Sequence, residues 1–254
     1  MAVYRTGSNS KRKRLGQHLL VDMKILDKIV SAAEISNTER VCEAGTGTGV
    51  LTSKLCERAG TVISFEVDVA LFNDAKVSVK RHHNLEIVNS DLFAQNNVKF
   101  DVFVSNLPYS RSRDAIQWLA MQTFKRAIIM VQREFADKLL AKPGNKNYRA
   151  ITVLAQYCFT IERIFRVGRD AFDPMPEVES EVIRLVPTRT VTRQTIRDLN
   201  TIFSQRNKRF SSIASRFELD HEPDQGCKRL RQLDPETIMR AINSGELAAS
   251  RKKS

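Results

Sequence analysis

The chain has little that would tie it to an oxidising or membranous setting. Its 254 residues include only four cysteines, Cys42, Cys56, Cys158 and Cys227, widely scattered and without a C-x-x-C pair. That spacing argues against a zinc site, a redox pair or a disulfide framework, so the thiols read as reduced and mostly buried in a cytosolic protein. No stretch approaches the roughly 20 apolar residues that cross a bilayer. The first forty residues are basic and polar, without the apolar segment and cleavage site of a secretory signal. Repeats are absent, and biased composition is confined to the two termini. What is present suits a compact fold: 42% hydrophobic and 28% charged residues suffice for one large domain, or one large and one small, without covalent staples.

Negative charge is also scarce, and unevenly so. The formal net charge is +12, of which residues 1–40 carry +4, residues 41–187 only +2, and residues 188–254 carry +6. A polyanion gripped from two sides would explain this distribution, because each neutralised phosphate releases counterions. Basic tails that only aid solubility explain it equally well from charge alone. Residues 1–14, rich in Ser, Asn, Lys and Arg and ending in Lys11-Arg12-Lys13-Arg14, are expected to be flexible without a partner.

Between the basic ends the apolar pattern alternates. Ile25, Leu26, Ile29, Val30 and Ala33 recur at helical spacing within residues 23–35. Strand candidates follow at 40–44, 62–66, 85–88, 100–105 and 127–131, with helix candidates around 49–58, 68–80, 113–121 and 132–141. This rhythm predicts an α/β fold of Rossmann type, a mostly parallel sheet with helices on both faces. Residues 150–164 read as helix or strand, and 181–186 as a last strand before Pro187. Beyond it only helical patterns with many basic residues remain. The expected division is a flexible segment 1–14, an α/β domain 15–187 and a small helical domain 188–254.

The chemistry-bearing residues lie where the strands are expected to end. Glu43-Ala44-Gly45-Thr46-Gly47-Thr48-Gly49 follows a strand and precedes a helix, the position where glycine allows a tight turn and close approach of a ligand. Dinucleotide enzymes use a similar turn, but the spacing here is G-x-G-x-G and a carboxylate stands two residues before the first glycine. A carboxylate there opposes a pyrophosphate and suits a cationic cofactor with an amino-acid end, which favours S-adenosylmethionine over NAD. Glu66 ends the second strand, placed to accept both ribose hydroxyls. Asp91 ends the third, placed to accept from an adenine amino group, although alone it would read as a turn or cap residue.

Asn106-Leu107-Pro108-Tyr109 follows the fourth strand. Adenine's exocyclic nitrogen is a poor nucleophile because its lone pair is delocalised into the ring. The side-chain oxygen of Asn106 and the carbonyl of Leu107 are placed to accept its two hydrogens and free that lone pair. Pro108 would fix the acceptors and Tyr109 would stack on an extruded base. Neither a metal nor a conventional general base is required. In isolation the tetrapeptide is equally an ordinary N-x-P-Y turn.

Taken together these motifs resemble the rRNA adenine N6-dimethyltransferases, almost end to end. Gly16-Gln17-His18-Leu19-Leu20 is similar to that family's N-terminal motif, and the glycine loop and N-L-P-Y match it. So do Gln132-Arg133-Glu134-Phe135-Ala136, Phe172-Asp173-Pro174-Met175-Pro176-Glu177-Val178-Glu179-Ser180 and Phe203-Ser204-Gln205-Arg206-Asn207-Lys208. The last two segments, with Tyr148-Arg149-Ala150-Ile151-Thr152-Val153-Leu154-Ala155-Gln156-Tyr157 after the Q-R-E-F helix, look closer to the small-subunit branch, its archaeal members included, than to the large-subunit branch that confers macrolide resistance. The resemblance implies a cofactor pocket of Gln17, His18, Leu20, Glu43, Gly45, Gly47, Glu66, Val67, Asp91, Leu92 and Asn106. It also implies that Asn106, Leu107, Pro108 and Tyr109 present the target adenine. Phe172 is expected to flank the base, whereas by itself an aromatic before Pro-x-Pro would read as core. RNA contacts are expected from Lys11, Arg12, Lys13, Arg14, Arg111, Arg113, Arg206, Lys208 and Arg209.

The chain departs from the family in two places. Where N-L-P-Y usually continues N-I-[ST]-[ST]-[PD], this sequence has Ser110-Arg111-Ser112-Arg113-Asp114, and Leu19 replaces an aromatic. The two arginines would contact RNA phosphate or alter the number of methyl transfers. The implied activity is dimethylation of two adjacent adenosines in the 3′-terminal hairpin of small-subunit rRNA, by a cytoplasmic monomer that acts on the small ribosomal subunit or its precursor. The competing readings are the large-subunit enzyme, a mainly non-catalytic assembly factor, and a small-molecule methyltransferase. Two basic ends disfavour the last.

Overall fold

The computed structural model describes residues 18–244. Gln17, the basic run Lys11–Arg14 and the expected flexible segment 1–14 lie outside them.

The chain enters on a short strand, β1 (Leu19–Leu20), and turns into helix α1 (Met23–Ala32). Asp22 caps this helix, its carboxylate accepting the Lys24 and Ile25 N–H groups at 2.8 and 3.2 Å. Leu26, Ile29 and Val30 form its buried stripe. Strands and helices then alternate: β2 (Arg40–Ala44), α2 (Val50–Cys56), β3 (Thr61–Phe65), α3 (Val69–Ser78), β4 (Leu85–Val88), β5 (Val102–Asn106), α4 (Ser112–Leu119), β6 (Arg126–Gln132) and α5 (Arg133–Leu139). The ambiguous stretch after residue 150 is both things in turn, helix α6 (Ala150–Cys158) running directly into strand β7 (Phe159–Val167). Then come β8 (Phe172–Asp173), β9 (Ser180–Pro187), and helices α7 (Arg193–Phe203), α8 (Phe210–Phe217), α9 (Pro223–Gly226) and α10 (Pro235–Ser244). Among the described residues no helix is long and apolar enough to cross a membrane.

The seven-stranded sheet has the order β4-β3-β2-β5-β6-β9-β7. The strands from β4 through β6 are parallel, and β9 returns antiparallel to β6, with Ile129 opposite Ile183. Central strands covered on both sides need apolar residues facing both ways. Accordingly Val41 and Cys42 of β2, Val102–Val104 of β5 and Ala127–Ile129 of β6 are fully buried. A separate two-stranded pair joins β1 to β8, Leu20 opposite Phe172, and so draws the beginning of the described chain to the Phe172–Ser180 segment.

Two compact units result. One holds the chain up to Ala115 with Thr123–Arg133 and Glu162–Val186; the other holds Ile116–Gln122, Glu134–Ile161 and the chain from Pro187 onward. The boundary expected at 187/188 is therefore incomplete, because the helical unit also recruits 116–122 and 134–161. The cause is α6, whose Ile151, Thr152, Val153, Leu154, Ala155 and Cys158 are all buried. A helix apolar around most of its girth needs cover on several sides, and α7 and α10 both pack on it. Tyr148 anchors the same unit, donating its hydroxyl to the Leu233 carbonyl at 3.0 Å and meeting the Phe203 ring at 5.9 Å.

Candidate active site

Strand order fixes where the site lies. From β2 the chain winds outward through β3 and β4, whereas β5 and β6 lie on the other side of β2. Loops leaving the carboxyl ends of β2 and β5 therefore diverge and leave a crevice between them. Residues 18–20, 44–48, 50–51, 65–67, 90–93 and 106–108, with Leu26, Leu71 and Arg111, line that crevice. Its empty volume, about 1010 Å³ including the open mouth, is on the scale of a nucleoside-containing ligand.

The glycine loop forms the floor. Gly45 and Gly49 both have φ of +81°, in the left-handed region that disfavours side chains. A Cβ at Gly49 would also fall 2.7 Å from the Val79 Cγ1 atom. The turn is tied down by the Gly45 N–H donating to the Phe65 carbonyl at 2.8 Å. Beside it Glu66, 5% exposed, accepts the Gly47 N–H at 2.9 Å and the Asp68 N–H at 3.0 Å. Each carboxylate oxygen keeps a further lone pair for a ligand.

Glu43 corrects an expectation. It does not line the crevice but is fully buried behind it, opposite Ser64 and Val104 in the sheet. One oxygen, Oε2, accepts the hydroxyls of Thr52 and Ser64, both at 2.6 Å. The other, Oε1, has no hydrogen-bond partner among the described residues. Burial, opposed by those two hydroxyls and reinforced by the nearby Glu66 charge, pushes the carboxyl up to about 7. Glu43 is thus a support beneath the loop, close to half-protonated at neutral pH.

At the third strand end, Asp91 caps the turn Leu92–Ala94 by accepting the Phe93 N–H at 2.9 Å. It is also held by Arg111, whose Nη2 lies 2.9 and 2.8 Å from the two carboxylate oxygens. Arg111, expected to reach for RNA, instead faces the crevice.

The tetrapeptide hangs from the end of β5. Ser105 donates its hydroxyl to the Ala44 carbonyl at 2.6 Å, binding this strand end to the glycine loop. Neither the Asn106 carboxamide nor the Leu107 carbonyl has a hydrogen-bond partner among the described residues, and both residues line the crevice. Tyr109 is held at two points: its hydroxyl shares a 2.6 Å hydrogen bond with Ser180, and its ring stacks on His18 at 5.7 Å between centroids. His18 is in turn bonded to the Pro174 carbonyl at 2.8 Å. Burial raises the Tyr109 hydroxyl's pKa, opposed by the Ser180 bond. Three separated motifs therefore converge on one aromatic ring.

Phe172 is buried. It is 5% exposed, belongs to the hydrophobic core with Leu20, Leu26 and Val182, and does not line the crevice. Its backbone pairs with Leu20 in the β1–β8 ladder.

Of the remaining expected residues, His18, Leu20, Gly45, Gly47, Glu66, Val67, Asp91, Leu92, Asn106, Leu107 and Pro108 all line the crevice. Phe93 and Ser90 line it too and were not singled out, although both adjoin the Asp91-Leu92 signal. Arg113 is exposed on α4. In the helical unit, residues 206–210 run alongside 228–231, with Arg209 bridged to Arg229 and the Phe210 N–H donating to the Lys228 carbonyl at 2.8 Å. This brings Arg206, Lys208 and Arg209 beside Lys228, Arg229 and Arg231, and none of the six forms an ion pair among the described residues. Sequence reading missed the second three because only their pairing with 206–210 gives them meaning.

Comparisons with known proteins converge on this geometry. The family described as ribosomal RNA adenine dimethylase matches residues 8–215. A probable ribosomal RNA small subunit methyltransferase A from Methanosarcina acetivorans is 37% identical over 85% of this chain and 82% of its own. A ribosomal RNA small subunit methyltransferase A from Thermotoga maritima is 32% identical over 90% of this chain and 83% of its own. Among solved structures, a dimethyladenosine transferase from Plasmodium falciparum superposes with a TM-score of 0.76 at 28% identity, covering 89% of this chain and 97% of that one. The 23S rRNA methyltransferase ErmE shares the fold at a TM-score of 0.65 and 24% identity, over 89% of this chain and 98% of that one. With its glycine loop, its acidic strand ends and two unspent acceptors in one crevice, the chain belongs to the ribosomal RNA adenine dimethylase family.

Proposed function

We propose that the protein uses S-adenosylmethionine to dimethylate the N6 of adenine in small-subunit rRNA, on two adjacent adenosines of the 3′-terminal hairpin. One observation carries the chemistry: Asn106 and Leu107 present two unused acceptors on the crevice wall, next to the glycine loop. A planar amino group with two hydrogens is the donor that such a pair fits.

The crevice suits the cofactor. Glu66 offers acceptors where a ribose would lie, Leu92 and Phe93 offer apolar surface for a base, and Asp91 offers a carboxylate to its amino group. When bound, S-adenosylmethionine supplies an electrophilic methyl on a sulfonium. The protein's part is positional. Asn106 and Leu107 hold the target nitrogen's two hydrogens in the first transfer and the one that remains in the second, localising its lone pair, and Pro108 keeps the acceptors in place. Tyr109, fixed by Ser180 and His18, offers its ring to the extruded adenine. Each transfer forms an N–C bond, breaks an S–C bond and releases one proton. The six-cation surface at 206–209 and 228–231 is the phosphate-binding face of this reading. Action in the cytoplasm, on the small subunit or its precursor and as a monomer, completes it.

The test is transfer of labelled methyl to unmethylated small subunits, large subunits and the naked rRNAs, followed by nucleoside analysis. Dimethyladenosine is expected in small-subunit RNA. With Asn106→Ala the rate should fall at least about 100-fold, while S-adenosylhomocysteine still binds. Label confined to large-subunit RNA would replace the substrate assignment.

A further inference from the structure

Arg111 stands where the family's motif usually carries isoleucine, a side chain that cannot form an ion pair. It closes the turn Tyr109–Arg111, directly after the two acceptors, and lines the same crevice as Asp91, Leu92 and Phe93. Three contacts fix its guanidinium there. Nη2 straddles both Asp91 oxygens at 2.9 and 2.8 Å, Nε lies 3.2 Å from Asp114, and the group sits 5.1 Å from the centre of the Phe93 ring. Both side chains of the Arg111–Asp91 pair remain more than a third exposed, at 37% and 38%.

We infer that Arg111 is a latch across the base end of the cofactor crevice, which an adenine amino group must displace from Asp91 in order to bind. The inference rests on the cofactor reading above and adds a residue to it. Asp91 has about four acceptor positions. The Phe93 N–H takes one and the arginine lies across both oxygens. The amino group and the guanidinium therefore seek the same carboxylate face. Displacement costs little, because Asp114 remains as a partner at the first turn of α4. A half-exposed pair of this kind is a weak lock, so the expected penalty on binding is small and measurable.

The experiment is calorimetric binding to the full chain of S-adenosylhomocysteine, and of its inosine counterpart, which has a carbonyl in place of the adenine amino group. Wild type, Arg111→Ile and Arg111→Lys are compared, with thermal melts to establish that all three fold alike. Arg111→Ile should bind S-adenosylhomocysteine about fivefold more tightly than wild type. Arg111→Lys should lie between them, since lysine keeps the charge but not the fork. Affinity for the inosine counterpart should change much less, because its 6-carbonyl cannot donate to Asp91 as the amino group does. Weaker binding of S-adenosylhomocysteine by Arg111→Ile would make the guanidinium a support of the base and overturn the latch. Equal gains for both ligands would overturn it too, by showing that the arginine acts through bulk alone. If the wild type binds neither ligand, the cofactor reading itself falls, a result distinct from either of the others.

Discussion

The two ends of the parallel strands are built on opposite terms. At the amino ends, Glu39 precedes β2, Asp101 precedes β5 and Lys125-Arg126 opens β6, and their charges close on one another. Both Glu39 oxygens meet the Arg126 fork at 3.0 and 2.8 Å, with Lys125 adding a contact at 3.2 Å and the Ser36 N–H one at 2.9 Å. Arg126 also donates to the carbonyls of Ala33 and Glu34. At the carboxyl ends, Glu43 keeps a buried oxygen without a partner, while Asn106 and Leu107 keep acceptors open. One edge uses its polar groups for internal cohesion. The other leaves one carboxylate oxygen unsatisfied behind the crevice and two acceptors open on its wall, as sites that trade stability for function do.

The contrast is also one of pH. The Arg126 fork, with the Ser36 N–H and Lys125 assisting against burial, holds Glu39 down at about 2, from 4.5. A depressed carboxylate contributes stability that is present above pH 4.5 and lost as pH falls through 2. Glu43, raised from 4.5 to about 7, does the reverse. Its contribution is full below 4.5 and is lost as pH rises through 7, where the buried group must ionise.

The largest effect should come from breaking the saturated edge. Glu39→Ala leaves the mostly buried Arg126 without its carboxylate and should cost about 3 kcal/mol at pH 7. Urea unfolding would measure this, and a loss below about 1 kcal/mol would show that this edge is not the anchor. Somewhat less is expected at the other edge, with the opposite sign. Glu43→Gln removes a carboxyl that must ionise in the core, so its stability relative to wild type should rise between pH 5 and pH 8. The rise should be on the order of 2 kcal/mol; unfolding curves that differ by a constant at all pH values would mean that Glu43 does not titrate in this range. Smallest in stability is Ser180→Ala, which frees the Tyr109 hydroxyl. It should shift unfolding by no more than about 1 kcal/mol yet slow methyl transfer roughly tenfold. Unchanged transfer would mean that the ring stays in place through His18 alone.

Much of this was legible in the sequence because local pattern and tertiary role coincide. Residues 40–44 and 85–88 form strands with the bounds the pattern suggests, the first a buried central strand and the second a half-buried edge strand, because both are short, mostly apolar runs between breakers. The crevice residues at the ends of β3 and β5 followed from the same logic. Other features depend on which way a side chain points. Nothing in the sequence separates a carboxylate facing a crevice from one behind it, so Glu43 was assigned to the wrong side of the loop. Phe172 and Leu20 lie more than 150 positions apart and meet only through the β1–β8 pair. The junction at Cys158–Phe159 carries neither glycine nor proline, which left helix and strand fused in one reading.

The helical unit's assembly from three separated stretches bears on how the chain is made. Helix α6 leaves the ribosome well before α7 and α10, the two helices that cover it. During that interval Ile151, Val153 and Leu154 are without these late-arriving neighbours, an apolar surface of the kind that invites chaperones or self-association. A chain ending before Pro235 would leave α6 without α10 for good. Faults in the last helix should therefore appear as protein lost to aggregation and proteolysis during synthesis, even though the crevice residues lie in the other unit.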